Sequence, residues 1–118
     1  MPDFEITDEG VLKKYNGRAE HVIIPEHLIH IGAYAFHNCA FIRSITFPDS
    51  VIHIRKSAFQ NCRNLEEVIL PDYLADIGEG AFCQCRSLKS VTFPRRLEEI
   101  GKDAFRGCTS LEQAIIPD

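Results

Sequence analysis

The sequence predicts a β-rich α/β solenoid, a coil with a parallel sheet on one face and short helical or 3₁₀ turns opposite. Three observations predict it. Prolines Pro25, Pro48, Pro71, Pro94 and Pro117 recur every 23 residues without an insertion. Between them, fixed places hold Ile31, Ile54, Ile77 and Ile100, then Ala35-Phe36, Ala58-Phe59, Ala81-Phe82 and Ala104-Phe105, then Cys39, Cys62, Cys85 and Cys108. Further on stand Ile42, Leu65, Leu88 and Leu111, followed three residues later by Ile45, Val68, Val91 and Ala114. A fixed period in the twenties marks units that bury their apolar residues only against their neighbours.

Residues 1–24 lack the Ala-Phe pair and the cysteine, and read as N-terminal capping hairpins with a first strand. Phe4 to Thr7 alternates apolar with polar, as a half-buried strand does. Asp8-Glu9-Gly10 has turn chemistry, Val11 to Tyr15 follows, and Asn16-Gly17 is a strong hairpin signal. His21 to Ile24 stands where the repeats carry Arg43 to Phe47. Two small antiparallel hairpins are expected to feed the first parallel strand and shield the apolar end of the first repeat. The alternative is that the hairpins themselves bind a partner.

Residues 25–118 hold four 23-residue repeats and the start of a fifth. Glu66 to Leu70 alternates around Val68 and Leu70, which should point inward. Copies of it should stack as parallel strands about 4.8 Å apart, beginning near residues 21, 44, 67, 90 and 113. Proline then ends the pairing because it has no N–H to donate. Val51 and Ile54 suggest a very short strand on another side of the coil. Gly32, Gly78 and Gly101 let the chain turn sharply or take positive φ; Arg55 stands in that column and predicts a local distortion. Ser57 to Cys62 reads as one helical or 3₁₀ turn, with Ala58 where backbones crowd and Phe59 filling the middle. Burying each such Phe stabilises by about 1.5–3 kcal/mol, so the four form a stacked spine.

The pattern P-x-x-[LV]-x-x-I-G-x-x-A-F-x-x-C-x-x-L-x-x-[VI]-x-[FLI] runs through residues 25–116 and resembles the BspA-like (Treponema pallidum-type) leucine-rich repeat. The opening F-x-I-x-x-x-G-V-L-x-x-Y-N-G is similar to the start of many arrays in that family. Arg55 and Ala114 depart from the pattern. The resemblance implies a right-handed leucine-rich repeat coil, a binding surface rather than an active site, and a bacterial cell-surface or secreted location. Pro117-Asp118 opens a further repeat with no cap after it, so a fragment of a longer protein is expected.

At 118 residues the chain is one domain. Hydrophobic residues make up 45% and charged ones 25%, ordinary for a globular chain. The net charge of −4 opposes the positive field that phosphate backbones require, so no nucleic-acid partner is expected. No apolar run approaches the roughly 20 residues of a spanning helix, so direct membrane insertion is not expected. MPDFEITDEG has neither a basic n-region nor an apolar h-region. An intracellular protein and a trimmed mature domain both remain open.

The four columnar cysteines suit an inward structural place, and their parallel Cβ vectors oppose disulfides between neighbours. Cys83 shares its column with His37, Gln60 and Arg106 and reads as an exposed thiol able to form a dimer on oxidation. His30, His53, Asp76 and Glu99 share one place and should form a ladder. Such a row could offer a divalent metal two imidazoles and a carboxylate, or could be a solvated face; neither zinc nor any other cofactor is expected. No nucleophile motif, phosphate-binding glycine loop or HExxH is present, and no catalytic residue is assigned.

The sheet face remains. Its outward columns are Ser44, Glu67, Ser90, Gln113 and Thr46, Ile69, Thr92, Ile115, bordered by Arg43, Glu66, Lys89 and Glu112. A β-branched strip rimmed by charge suits a protein or glycan ligand, although β-branched residues also simply favour strands. A purely structural spacer is the competing reading. Self-association is expected where Gln113 to Ile116 leaves the last strand edge open.

Overall fold

The computed structural model describes residues 3–115. Among these residues eleven short strands form two sheets. The main sheet contains β3 (His21–Ile23), β5 (Ser44–Thr46), β7 (Glu67–Ile69), β9 (Ser90–Thr92) and β11 (Gln113–Ile115). They lie in the order β11-β9-β7-β5-β3, parallel throughout, and the residues that pair are counterparts one repeat apart. These are the starts that the proline period predicts. The second sheet begins with β1 (Phe4–Ile6) antiparallel to β2 (Val11–Tyr15). It continues in parallel through β4 (His30–Ile31), β6 (His53–Ile54), β8 (Asp76–Ile77) and β10 (Glu99–Ile100).

Alternation explains the main strands. Val22, Ile45, Val68 and Val91 occupy the strand centres and are buried, while the residues on either side face outward. In the second sheet Ile31, Ile54 and Ile77 do the same from the other wall. Between the walls the aromatic rings stack in one column. Phe36, Phe59, Phe82 and Phe105 lie 4.8, 5.0 and 5.3 Å apart with nearly parallel planes, and the first three are fully buried.

The turns opposite the main sheet differ from expectation: among the described residues no segment is helical. Ala35, His37 and Cys39 donate backbone bonds to Gly32, Tyr34 and Phe36, which makes separate reverse turns. The intervening N–H groups point elsewhere. Tyr34, Phe36 and Asn38 donate to Lys56, Ala58 and Gln60 of the next repeat, and the pattern recurs at Ser57, Phe59 and Asn61 and at Gly80, Phe82 and Gln84. A chain that sends every second N–H to its neighbour cannot also close i→i−4 bonds. Two left-handed residues per turn fit this zigzag, Tyr34, Ser57, Gly80 and Asp103 in one column and Asn38, Asn61, Gln84 and Gly107 in another.

The corner glycines also differ. Gly32, Gly78 and Gly101 do not take positive φ; they permit close approach. A Cβ on Gly78 would meet the backbone of Arg55 and Lys56 at 2.6 Å, and one on Gly101 would meet Glu79 N at 2.5 Å. Arg55 causes no break in the ladder. Its N–H reaches Ile31 O at 2.9 Å, as Gly78 reaches Ile54 O at 2.7 Å.

At the N-terminal end the first expected hairpin is present and the second is not. Residues Asn16 to Glu20 carry the chain from one sheet to the other instead of returning along β2. Gly17 has a packing role: a Cβ there would lie 2.3 Å from the Tyr15 hydroxyl. Tyr15 stacks on Phe36 and Phe4 packs on Tyr15, which extends the aromatic column into this end.

Candidate binding surface on the main sheet

Three columns run along the outside of the main sheet. At the strand entrances Glu20, Arg43, Glu66, Lys89 and Glu112 alternate in sign. Arg43 bridges Glu20 at 3.1 Å and Glu66 at 3.2 Å. These groups are about half exposed, so each pair contributes under about 1 kcal/mol. The row's main effect is to fix side chains along one border. The next column holds His21, Ser44, Glu67, Ser90 and Gln113, in which Ser44 bonds His21 Nδ1 at 2.7 Å and Ser90 donates to Glu67 at 3.4 Å.

The third column is the apolar strip. Ile69 is 60% exposed, Thr46 is exposed and Thr92 half-buried. The side chain of Ile115 lies outside the described residues, as do residues 116–118. Ile23, which the repeat count leaves in the cap, heads the same column at 73% exposure; its pairing with Thr46 places it there. Past the strip, the corners after β7 and β9 enclose a groove of about 360 Å³ lined by Ile69, Thr92, Phe93, Tyr73, Arg95 and Arg96. Sequence reading passes over this groove, although the doublet Arg95-Arg96 sets it apart: acids follow the proline in the other blocks, at Glu26, Asp49, Asp72 and Asp118.

The second sheet carries the predicted ladder. His30 stacks on His53 with ring centroids 4.9 Å apart, His53 Nδ1 bonds Asp76 Oδ2 at 2.7 Å, and Arg55 approaches His30 Nδ1 at 3.0 Å. Burial first, then the charges of Arg55 and His53, lower the pKa of His30, with Asp76 acting against them. Among the described residues no three His, Cys, Asp or Glu side chains are placed to hold a metal ion.

The cysteine column lies inside the coil. Cys62, Cys85 and Cys108 donate their thiols to Phe36 O, Phe59 O and Phe82 O at 3.1, 3.2 and 3.1 Å, each reaching one repeat back. Cys39, Cys62 and Cys85 are buried as expected. Cys108 is half-buried, because no described repeat stacks beyond it, and Cys83 is half-buried rather than exposed.

The BspA type leucine rich repeat region, a run of six copies, matches residues 14–118. The chain belongs to that family. The match begins one residue before Tyr15, where the aromatic column enters the N-terminal segment. Solved leucine-rich repeat structures superpose closely on this BspA-type chain. A protein from Bacteroides capillosus is 32% identical with a TM-score of 0.84, covering 98% of this chain and 93% of that one. The Treponema pallidum leucine-rich repeat protein is 25% identical with a TM-score of 0.74, covering 94% of this chain and 66% of that one. A protein described as a leucine rich cell surface protein, from Faecalibacterium prausnitzii, is 24% identical with a TM-score of 0.68, over 98% of this chain and 38% of its own; it shows the fold alone. The chain thus spans less than two thirds of the Treponema protein's length. Among curated proteins none matches. Among the described residues no helix of this leucine-rich repeat chain is long and apolar enough to cross a membrane.

Proposed function

We propose that this BspA-type chain is a non-catalytic binding module that holds a protein partner on the outer face of its main sheet, at a cell surface. The single observation that carries the reading is the outward column Ile23, Thr46, Ile69 and Thr92. Its two isoleucines are well exposed on strands whose inward residues already fill the core. An apolar centre bordered by the fixed charges Glu20, Arg43 and Glu66 has the composition of a protein interface. The surface location is what membership of the BspA-type family leads us to expect.

The competing reading is a structural spacer in a longer array, favoured by relatives of which this chain covers only 38% or 24%. A protein and glycan array separates the two. The purified chain should bind protein spots, and Ile23→Lys with Ile69→Lys should abolish that binding without changing the circular dichroism spectrum. Binding to glycans alone, or protein binding indifferent to both substitutions, would remove the reading.

A further inference from the structure

We infer that the groove between the corners after β7 and β9 is a pocket for an acidic peptide segment, taking a carboxylate side chain against Arg95 and Arg96 and a neighbouring apolar side chain on Ile69 and Phe93. This rests on the reading of the main sheet as a protein-binding face, since the groove continues the apolar strip at Ile69 and Thr92.

Charge complementarity carries the argument. Arg95 and Arg96 are exposed, and among the described residues neither has a carboxylate within salt-bridge distance. Arg43, in contrast, is held between two glutamates. The doublet is the one place where the corner after the proline turns basic, in a chain of net charge −4. Asp72 also lines the groove, pairing with neither arginine, so two positive groups face one negative one there and the net charge of the lining is positive. Guanidinium groups present planar donors matched to carboxylates.

The floor selects the class of ligand. Ile69 is largely exposed and Phe93 is half-buried, with its ring edge-on to Phe105 at 5.8 Å. A sugar ring would seek an open aromatic face, and one face of Tyr73 is already covered by Arg96, whose guanidinium carbon sits 5.0 Å from the ring centroid. That contact holds Arg96 at the groove and leaves aliphatic surface beside it, which fits a peptide side chain better than a saccharide. Sequence and geometry together describe an extended segment in which an aspartate or glutamate adjoins an aliphatic or aromatic residue.

The experiment uses the full chain and three dye-labelled probes followed by fluorescence anisotropy: a capped hexapeptide with glutamates flanking leucine, its lysine counterpart, and a sulfated disaccharide. The acidic peptide should bind, and the Arg95→Glu/Arg96→Glu variant should weaken it by about tenfold or more, as expected for reversing charges at a contact. A charge-matched control, Lys13→Glu/Lys14→Glu on exposed sites of β2, should leave the affinity unchanged. Array binding lost with Ile23→Lys and Ile69→Lys while the acidic probe fails on the unsubstituted chain would keep the face and overturn the groove. Equal binding of the lysine peptide, binding of the disaccharide alone, or an acidic probe indifferent to the arginine substitutions would each overturn it.

Discussion

Tyr15 lies stacked on Phe36, ring centroids 5.2 Å apart and planes 28° apart, as the first full member of a column that each repeat then continues with phenylalanine. Its hydroxyl accepts a bond from the Ala19 N–H at 3.1 Å and lies over Gly17. The cap is therefore built from the same core element as the repeats. Tyr15→Ala should cost about 3–5 kcal/mol by removing a buried aromatic and leaving a cavity, while Tyr15→Phe should cost about 1 kcal/mol for the lost hydrogen bond. Urea unfolding followed by circular dichroism measures both. Equal losses for the two variants would contradict the packing role.

Much of this architecture was legible because one spacing repeats. Ile45, Val68 and Val91 are inward because they sit one period apart, and the strand starts follow directly. Tyr15 escaped because it stands off the 23-residue register, and Asn16-Gly17 after it carries the local signature of a hairpin. Only the stacked ring shows why glycine is needed there. The turns opposite the sheet read as helical from sequence because Ala58-Phe59 looks the same in a short helix and in a zigzag whose N–H groups alternate between neighbours. The left-handed places hold Tyr34 and Ser57, residue types that give no warning. Asn38, Asn61, Gly80, Asp103 and Gly107 carry one, since asparagine, aspartate and glycine tolerate that region. The apolar strip could be placed from alternation; the groove beside it needed the corner geometry that brings Arg96 over Tyr73.

The thiols should make the fold sensitive to alkali. Burial pushes the Cys39 thiol from 9.0 up to about 11. In the unfolded chain the thiol ionises near 9.0, and in the folded chain it stays protonated until about 11. The unfolded state therefore holds fewer protons across that window, and stability falls as pH rises through it. The Cys108 thiol is raised as well, by its contact with Cys85 and by burial. Urea midpoints should drop between pH 9 and 11, and Cys39→Ala should flatten part of the drop. At pH 8, maleimide should modify Cys83 ahead of the other four, since Cys39, Cys62 and Cys85 are buried and the Cys108 thiol is held protonated. Modification of Cys62 in native protein would contradict the packing of the column.

On the other wall, His30 should give the opposite response to acid. Its pKa is lowered, chiefly by burial and by Arg55, so below the ordinary 6.5 the unfolded chain takes up a proton that the folded chain resists. The unfolded state then binds more protons, and stability is lost as pH falls through that range. His30→Gln should remove part of this loss while keeping a polar side chain beside His53. Chemical unfolding at pH 7.5 and pH 5.5 reads the difference directly. An identical acid loss in the variant would assign the effect to other groups.

The far end of the coil presents a different surface. Among the described residues β10 and β11 pair on one side only. Around them Ile100 and Leu111 are exposed, and Phe105 and Cys108 are half-buried where their counterparts one repeat back are covered. Apolar side chains beside unpaired strand edges favour association. The occupant proposed for this end is a second copy of the chain, because a two-fold arrangement closes on itself and matches one apolar end with another. Sedimentation velocity over a concentration series should show a monomer–dimer equilibrium. Ile100→Lys with Leu111→Lys should shift it to monomer by placing like charges across the contact, while Ile69→Lys on the main sheet should leave it unchanged. A chain that stays monomeric into the high micromolar range, or a dimer disrupted by Ile69→Lys instead, would show that the open end is not the interface.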